Sequence, residues 1–451
     1  MKNKFLRRFI KTIVIFVLLI LILIISCFRI VDHKPYQESK YYKNTVNDLE
    51  VMMSSLPPTT SGELFVGAGK AAITPPIGTP LAGYGNRKGA PSTGVNDSLF
   101  VRVIALQSGG QQVCLIGYDA LLCPARITRI IEDSIASRFE LNPDQLLFTA
   151  THTHAGPGGW GQGWVEKQFA GAPDSLIPNI FVDSTLIAIQ RALDSKAPAS
   201  FQSGKTNAPP FNRNRLVGKK GSVDDELVYI AFSRENKNVA VFATYSAHAT
   251  VLSGKNMLFS GDYPGYFENK LEAELGGVVL FAAAGVGSHR PAGPGKGFEK
   301  ARNIGYALAD SVLTHLKKEY KQSCDLKYFR LPVEKHDLQI RVSENIRLAP
   351  WLAGKFFNVE DSYIQVIKLD RFLIMGSPAE FSGELALMVK EHSRNKNLLT
   401  TITSFNGCYL GYVTPSKYYS MNEYETRLMS FLGPYTGDYL TELMIKIVEK
   451  F

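Results

Sequence analysis

Short apolar runs alternate with longer amphipathic stretches along most of the chain, from about residue 62 to the carboxyl terminus. Apolar runs bounded by turn residues are typical of buried strands, and they lie at 113–116, 146–150, 239–244, 278–284, 372–375 and 401–405. Stretches with one apolar face are typical of surface helices, and they lie at 128–139, 183–194, 263–275, 298–318, 383–392 and 438–449. This alternation predicts a mixed α/β fold, a single domain at 62–451 with sheet(s) flanked by helices. The pattern leaves the strand order open.

A histidine pair follows the strand predicted at 146–150. Residues 151–159 read Thr-His-Thr-His-Ala-Gly-Pro-Gly-Gly, so His152 and His154 stand one residue apart. On an extended segment, side chains two residues apart point the same way, and both rings can face one cleft. The glycines that follow allow a sharp bend and a close approach of a ligand. Because histidine is the commonest metal ligand, the pair indicates a metal or catalytic site at a strand end.

Polar residues suited to metal binding or catalysis also follow other predicted strands. They are His248 after 239–244, Ser288 after 278–284, Glu380 after 372–375, and Tyr409 and Tyr412 after 401–405. In sheets with helical connections, ligand sites gather just beyond the carboxyl ends of strands. The repeated layout therefore predicts that these residues meet at one site.

Seven short motifs together resemble the neutral/alkaline, non-lysosomal ceramidases. They are Gly-Ala-Gly-Lys-Ala-Ala-Ile-Thr-Pro-Pro at 67–76, Gly-Tyr-Gly at 83–85, the histidine run at 151–159, Pro-Ala-Glu-Phe-Ser at 378–382, Tyr-Val-Thr-Pro at 412–415, Tyr-Glu at 424–425 and Gly-Pro-Tyr-Thr at 433–436. They keep the family's order from about residue 63 to about residue 440. No single motif is specific, but the ordered combination is.

The resemblance implies a zinc-dependent amidase and assigns a role to each matching residue. The residues in the family's zinc-ligand positions are His152, His248, Glu380 and Tyr412. Two histidines and a carboxylate are the ligands of a hydrolytic zinc site that keeps a position open for water. The residues matching those that hold the substrate amide and its developing oxyanion are His154, Arg213 and Tyr424. Ser288 matches the serine beside the metal, without an assigned base that would make it a nucleophile.

Some positions depart from the family pattern. Where the family usually reads Gly-Asp-Val-Ser-Pro-Asn, residues 285–291 read Gly-Val-Gly-Ser-His-Arg-Pro, which brings His289 beside Ser288. The family's Asn-Arg-Ser is Asn-Arg-Asn at 212–214, and either arginine of the segment 212–215 could be a solvated loop residue. The chain ends at Phe451, so we expect the catalytic N-terminal domain of the family without its β-sandwich domain.

The amino terminus has the layout of a membrane-targeting segment. Residues 1–11 hold five basic and no acidic residues, and 13–25 is an unbroken apolar run without an Ala-x-Ala cleavage site. Two outcomes stay open: a short uncleaved anchor, or a lipoprotein that begins at Cys27 after Ile-Ile-Ser. In either case, residues 1–28 would tether the domain to a membrane, and residues 29–61 would form a linker. The basic flank favours a cytoplasmic amino terminus and an extracytoplasmic domain, in a bacterial periplasm or at the cell surface.

Charge and cysteine content exclude few functions beyond nucleic-acid binding. Removing the five basic leader charges from the net charge of +9 leaves +4, without a long basic block or a nucleic-acid-binding motif. Besides Cys27, four cysteines remain, and their spacing is not that of a zinc knuckle. An extracytoplasmic domain would permit disulfides without requiring them.

We therefore expect a membrane-tethered zinc amidase that cleaves the N-acyl bond of ceramide or a related N-acyl lipid. The expected partners are a lipid or N-acyl small-molecule substrate and a membrane surface, with no nucleic acid. Two alternatives remain open. One is the same zinc chemistry on another N-acyl or ester substrate of the cell envelope, and the other is a non-catalytic lipid-binding homologue.

Overall fold

Helices and strands alternate throughout the computed structural model, which describes residues 2–58, 60–317, 320–357 and 360–451. The helices are α1 (Lys2–Ser26), α2 (Lys40–Ser55), α3 (Ala125–Phe139), α4 (Trp164–Ala170), α5 (Leu176–Asp194), α6 (Asp262–Leu275), α7 (Gly297–His315), α8 (Pro350–Ala353), α9 (Gly383–Asn395) and α10 (Thr436–Lys450). The strands are β1 (Phe28–Ile30), β2 (Gly62–Glu63), β3 (Phe65–Ala72), β4 (Gly94–Val95), β5 (Phe100–Ser108), β6 (Gln111–Tyr118), β7 (Leu146–Ala150), β8 (Ala197–Pro198), β9 (Ser200–Asn207), β10 (Asn212–Asn214), β11 (Glu226–Arg234), β12 (Lys237–Tyr245), β13 (Leu258–Phe259), β14 (Val278–Ala283), β15 (His289–Pro291), β16 (Ser323–Cys324), β17 (Leu326–Val333), β18 (Ile346–Leu348), β19 (Ser362–Leu369), β20 (Phe372–Gly376), β21 (Glu380–Phe381), β22 (Leu399–Thr403) and β23 (Tyr412–Val413).

Three larger sheets carry the architecture and share one local topology. Their strand orders are β7-β6-β5-β3-β8, β14-β12-β11-β9 and β17-β19-β20-β22. In each sheet an antiparallel hairpin leads through a helix into a strand that lies parallel to the second strand of the hairpin. These units are β5-β6-α3-β7, β11-β12-α6-β14 and β19-β20-α9-β22. The predicted mixed α/β fold with helices flanking the sheets is confirmed.

The sheets pack around a common core and are covered outside by helices. The central cluster takes buried apolar side chains from all three sheets, such as Leu115, Phe242 and Ile374. The outer faces are covered by α3 and α5, by α6 and α7, and by α9 and α10, respectively. Because each sheet is buried on both faces, its strands read as continuous apolar runs rather than as alternating ones.

Each apolar run and amphipathic stretch predicted from the sequence corresponds to a strand or helix of the structure. The largest difference at a helix start is in α5, which begins at Leu176 instead of residue 183. The stretch 298–318 corresponds to α7, which ends at His315, and Lys318 lies outside the described residues. The run 401–405 leaves its sheet after Thr403, where Ser404 N–H donates to Ala283 O of a neighbouring sheet. The five cysteines, all within the described ranges, carry free thiols.

The amino-terminal segments include an exposed apolar helix and a folded connection. Within the described residues, two helices are long and apolar enough to cross a membrane. They are residues 4–26, exposed in α1, and α5, which packs on β3 and β5. The segment 29–61, predicted as a linker, contains the folded helix α2, and Thr59 lies outside the described residues. Its helix α2 packs on β17 and α10, where Tyr439 Oη donates to Thr45 Oγ1 at 2.9 Å. Helix α1 is therefore connected to the rest of the chain through segments that are themselves folded.

Candidate metal centre and active site

The candidate site lies where the parallel strand pairs of the three sheets end together. Backbone hydrogen bonds link these ends: Ser404 N–H donates to Ala283 O at 2.9 Å, and His154 N–H donates to Ala249 O at 3.2 Å. The residues that follow β7, β12 and β20 include His152, His248 and Glu380. The predicted gathering of polar residues therefore arises because the carboxyl ends of the three parallel strand pairs meet.

Three histidines converge at this junction. His152 Nε2 lies 2.9 Å from His248 Nε2 and 3.3 Å from His154 Nε2. One ring nitrogen from each of the three lies within 4.8 Å of those of the others, a group able to hold a metal ion. His152 and His248 are buried. The sequence prediction that His152 and His154 face one cleft is thus met, although by a different backbone route.

That route involves an unusual backbone conformation at His152. Its φ of 59° lies in the left-handed region, so the pair does not sit on a regular extended strand. Left-handed non-glycine residues are uncommon and tend to occur at functional sites. Gly83 makes room for the second ring, because a Cβ there would lie 2.6 Å from the His154 ring. The φ of Gly83 is 109°, which also favours glycine. The Gly-Tyr-Gly motif therefore serves to seat His154.

Hydrogen bonds to the outer nitrogens determine the tautomers of the two buried rings. His152 Nδ1 bonds Leu121 O at 2.7 Å, and His248 Nδ1 bonds Val286 O at 3.0 Å. A carbonyl only accepts, so both Nδ1 atoms carry a proton, and Nε2 of a neutral ring presents a lone pair. Burial, followed by the charge of Arg215, lowers the pKa of His248 well below its ordinary value, so that ring is neutral. When both rings are neutral, their facing lone pairs repel each other unless a cation lies between them.

Glu380 completes a donor set that suits a metal. Its Oε2 lies 3.5 Å from His152 Nε2 and 3.4 Å from His248 Nε2, and it is buried without a hydrogen-bond partner among the described residues. Its other oxygen accepts a hydrogen bond from Tyr409 Oη at 2.6 Å. Tyr412 Oη lies 3.3 Å from His248 Nε2. An unpartnered carboxylate oxygen beside imidazole lone pairs fits a divalent cation such as zinc.

An arginine also reaches the cluster, and it is Arg215 rather than Arg213. The structure leaves Arg213 exposed on the short strand β10 and does not bring it to the histidines. Arg215 Nη2 instead donates to Tyr412 Oη at 3.2 Å, and its Nε lies 2.6 Å from Glu425 Oε1. The local sequence repeats Asn-Arg at 212–213 and 214–215, so the motif alone fits both arginines. In the structure, Arg213 lies on β10 with its side chain exposed.

His154 and Tyr424 lie at the edge of the same cluster. Burial, followed by the charges of His152 and Arg215, lowers the pKa of His154 well below its ordinary value. Its Nδ1 is buried and has no hydrogen-bond partner in the described part of the chain. Tyr424 is half exposed, begins a π-helical turn and packs edge-on against the Tyr412 ring at 5.6 Å. Burial, followed by the charge of Glu380, raises the pKa of Tyr424 to about 12. At neutral pH, His154 is therefore neutral and Tyr424 keeps its proton.

Ser288 is buried in a separate hydrogen-bond network. Asp224 N–H donates to His289 Nε2 at 2.9 Å, so the His289 proton is on Nδ1, which donates to Ser288 Oγ at 2.9 Å. Ser288 Oγ also accepts from Gly383 N–H at 3.2 Å and lies 2.8 Å from Ser382 Oγ. With both acceptor positions filled, the Ser288 hydroxyl donates to Ser382. His289 is thus a buried structural donor and not a surface residue.

A large apolar pocket opens next to the metal-binding candidates. Its volume is about 400 Å³, and aromatic side chains from distant segments line it, among them Trp160, Phe169, Phe356 and Phe431. Tyr409 also lines this pocket, and the same hydroxyl bonds Glu380. Tyr409 therefore connects the pocket to the histidine cluster. No sequence pattern predicts the pocket, because its walls come from separate segments.

Comparisons with known proteins agree with this fold and site. The family model for the N-terminal part of neutral/alkaline non-lysosomal ceramidases matches residues 64–288. A neutral ceramidase of Drosophila melanogaster is 24% identical over 318 residues, which cover 57% of this chain and 45% of the relative. The neutral ceramidase of Pseudomonas aeruginosa is 26% identical over 230 residues, which cover 42% and 33%. The crystal structure of a Pseudomonas aeruginosa neutral ceramidase matches with a TM-score of 0.74 at 18% identity, covering 86% of this chain and 74% of that chain.

The fold and the site define the class of this protein: it is a mixed α/β protein with a candidate metal centre where the ends of its sheets meet. With the matches above, residues 64–288 identify the chain as a relative of the neutral/alkaline non-lysosomal ceramidases. The sequence matches to the Drosophila and Pseudomonas relatives span less than half of their lengths. What those longer proteins do is therefore a hypothesis for this chain.

Proposed function

We propose that this protein is a zinc-dependent amidase that cleaves the N-acyl bond of ceramide or a related N-acyl lipid. The observation that carries the proposal is the position of Tyr409, whose hydroxyl bonds Glu380 and whose ring lines the apolar pocket. A donor set suited to a metal thus adjoins a space suited to a long hydrocarbon chain. An N-acyl lipid has both parts, an amide to be cleaved and chains to be buried.

The donors proposed to hold zinc are His152, His248, Glu380 and Tyr412. When bound, zinc supplies Lewis acidity that polarises an amide carbonyl and lowers the pKa of a water molecule. The chain holds these donors in place through outer contacts. Leu121 O and Val286 O fix the two imidazole rings, and Tyr409 fixes the carboxylate. Such outer contacts orient ligands and prevent them from turning away.

Arg215, Tyr424 and His154 are proposed to stabilise charge and move the proton. Tyr412 and Glu425 raise the pKa of Arg215 despite its burial, so its guanidinium stays charged beside the site. Arg215 and the protonated Tyr424 can donate to an oxygen that becomes negative as water adds to the carbonyl carbon. Neutral His154 can accept a proton and return it to the nitrogen as the C–N bond breaks. The products would be a fatty acid and an amine.

Helix α1 is proposed to tether the enzyme to a membrane, with the domain outside the cytoplasm. The apolar segment 4–26 is exposed and is about as long as the roughly 20 residues that span a bilayer. Cleavage before Cys27 and lipidation of its thiol is the alternative form of the same tether. Mass spectrometry of the native protein distinguishes the two forms.

A substrate screen tests the proposed function. We expect the purified full chain to hydrolyse long-chain N-acyl sphingosine faster than N-acyl amino acids or N-acyl amino sugars, because only the first offers two apolar chains to the pocket. Chromatography of the released fatty acid measures each rate. A preference for an amino acid, a sugar or an ester would favour the other envelope substrates. Binding of N-acyl lipid without any turnover would instead indicate a non-catalytic homologue.

Replacing Ser288 by alanine should leave a sizeable fraction of activity. The Ser288 hydroxyl has both acceptor positions filled, by His289 Nδ1–H and Gly383 N–H, and no side chain beside it can take its proton as a base. Ser288 is therefore proposed to position the segment beside Ser382 and not to attack the substrate. Steady-state rates and zinc content of Ser288→Ala check this expectation. An inactive variant with full zinc content would indicate a serine nucleophile instead.

A further inference from the structure

We propose that the mouth of the apolar pocket docks on the bilayer that holds the tether, so that lipids pass from the leaflet directly into the pocket. This inference rests on the proposed function for the identity of the lipid, but the docking itself is independent of turnover. The docking is inferred from the position at which the tether leaves the domain and from the residues around that position.

The tether is fixed to the domain at its exit. Strand β1 pairs with β18 over three residues, with Phe28 opposite Leu348 and Ile30 opposite Ile346. Ala349 N–H donates to Cys27 O at 2.8 Å, and Trp351 Nε1–H donates to Ser26 O at 3.2 Å. An uncleaved helix and a lipid on Cys27 would both enter the membrane from this point. The domain therefore presents one face to the bilayer in either case.

The segment that holds the tether continues into the rim of the pocket. Helix α8 follows β18 directly, and Phe356 and Phe357 beyond it line the pocket. The ring of Phe356 meets the ring of Trp164 edge-on at 6.2 Å, and Trp164 is 63% exposed. Gln162 and Gly163, just before Trp164, also line the pocket. The tether exit and the pocket mouth thus share one side of the domain.

The chemistry of this side suits the interface between lipid and water. Trp351 is 49% exposed, and Lys355 Nζ lies 5.4 Å from the centre of its ring. Exposed tryptophan beside lysine is typical of the headgroup region of a bilayer. Arg29 and Arg347 lie directly opposite each other in the β1–β18 pair, and neither has an acidic partner in the described part of the chain. Like charges placed opposite each other repel, and lipid phosphates would relieve that repulsion.

Fluorescence quenching tests the docking directly. The full chain is reconstituted in phosphatidylcholine vesicles whose acyl chains are brominated near the glycerol. Trp164 and Trp351 should be quenched, and quenching should weaken in Trp164→Phe and again in Trp164→Phe/Trp351→Phe. Trp160 is buried and lines the pocket, so the quenching that remains in the double variant reports lipid inside the pocket rather than docking of the surface. Unquenched emission from Trp164 and Trp351 in a chain that floats with the vesicles would overturn the proposal.

A kinetic comparison tests whether docking delivers lipid substrate to the pocket. Trp164→Ser/Trp351→Ser should lower the hydrolysis of vesicle-borne N-acyl sphingosine by about tenfold, since interfacial contacts are lost, while a soluble short-chain analogue is cleaved at the unchanged rate. Tyr306→Ser on α7 is the matched control, an exposed aromatic residue away from the pocket, and should change neither rate. Equal loss on both substrates, or no loss on either, would contradict the docking. A wild-type chain that quenches normally but cleaves neither substrate would refute the proposed function and leave the docking intact.

Discussion

Replacing His152 by alanine should abolish both metal binding and turnover, the largest effect expected of any single substitution here. His152 Nε2 lies within 3.5 Å of His248 Nε2, His154 Nε2 and Glu380 Oε2, so its loss removes the donor nearest to all the others. The Lewis acid and the activated water would disappear together. Elemental analysis and the rate of N-acyl sphingosine hydrolysis measure the two losses on one sample.

His315→Ala is the matched control for that substitution. His315 is exposed on α7, where its side-chain Nδ1 bonds Ser311 O of the same helix. The His315→Ala variant should retain both zinc and activity. Thermal unfolding of both variants shows whether His152→Ala remains folded. A folded His152→Ala variant that keeps stoichiometric zinc would remove His152 from the metal site.

Replacing Arg215 by alanine should preserve zinc but lower kcat by roughly 10²–10³, the usual cost of one oxyanion donor. Its guanidinium contacts Tyr412 and Glu425 at the edge of the cluster, where negative charge would develop on the substrate oxygen. Arg215→Lys should recover only part of the rate, because lysine keeps the charge but loses the planar pair of donors.

Arg213→Ala provides the comparison, since it removes the same charge two residues away. Arg213 is exposed on β10 and should be replaceable with little effect on kcat or KM. Steady-state kinetics of both variants decide between the two arginines. If Arg213→Ala loses activity while Arg215→Ala keeps it, the side chains rearrange on substrate binding and our assignment is wrong.

The strands, the helices and most of the site could be predicted because local patterns determine them. Sheets buried on both faces give continuous apolar runs, and each run that ends at the site is followed by a polar residue. The threefold use of one hairpin-helix-strand unit could not be predicted. Its three copies, such as β5-β6-α3-β7 and β11-β12-α6-β14, share topology without sharing sequence.

Features formed by residues that are distant in the sequence also could not be predicted. The choice of Arg215 over Arg213 depends on how β10 pairs with β15. The bond from Tyr409 to Glu380 and the walls of the apolar pocket depend on the packing of separate segments. The segment 29–61 resembled a linker because it is polar, yet Leu49 of α2 is fully buried against the domain. Composition alone does not distinguish a solvated segment from a docked amphipathic helix.

Returning zinc to the chelated full chain tests the central claim most directly. Hydrolysis of long-chain N-acyl sphingosine and the amount of bound zinc are measured on the same samples as zinc is added back. The proposed function predicts that chelation abolishes the activity and that the rate rises in proportion to bound zinc, reaching its maximum at one ion per chain. Full hydrolysis by a folded chain that holds no metal would contradict it.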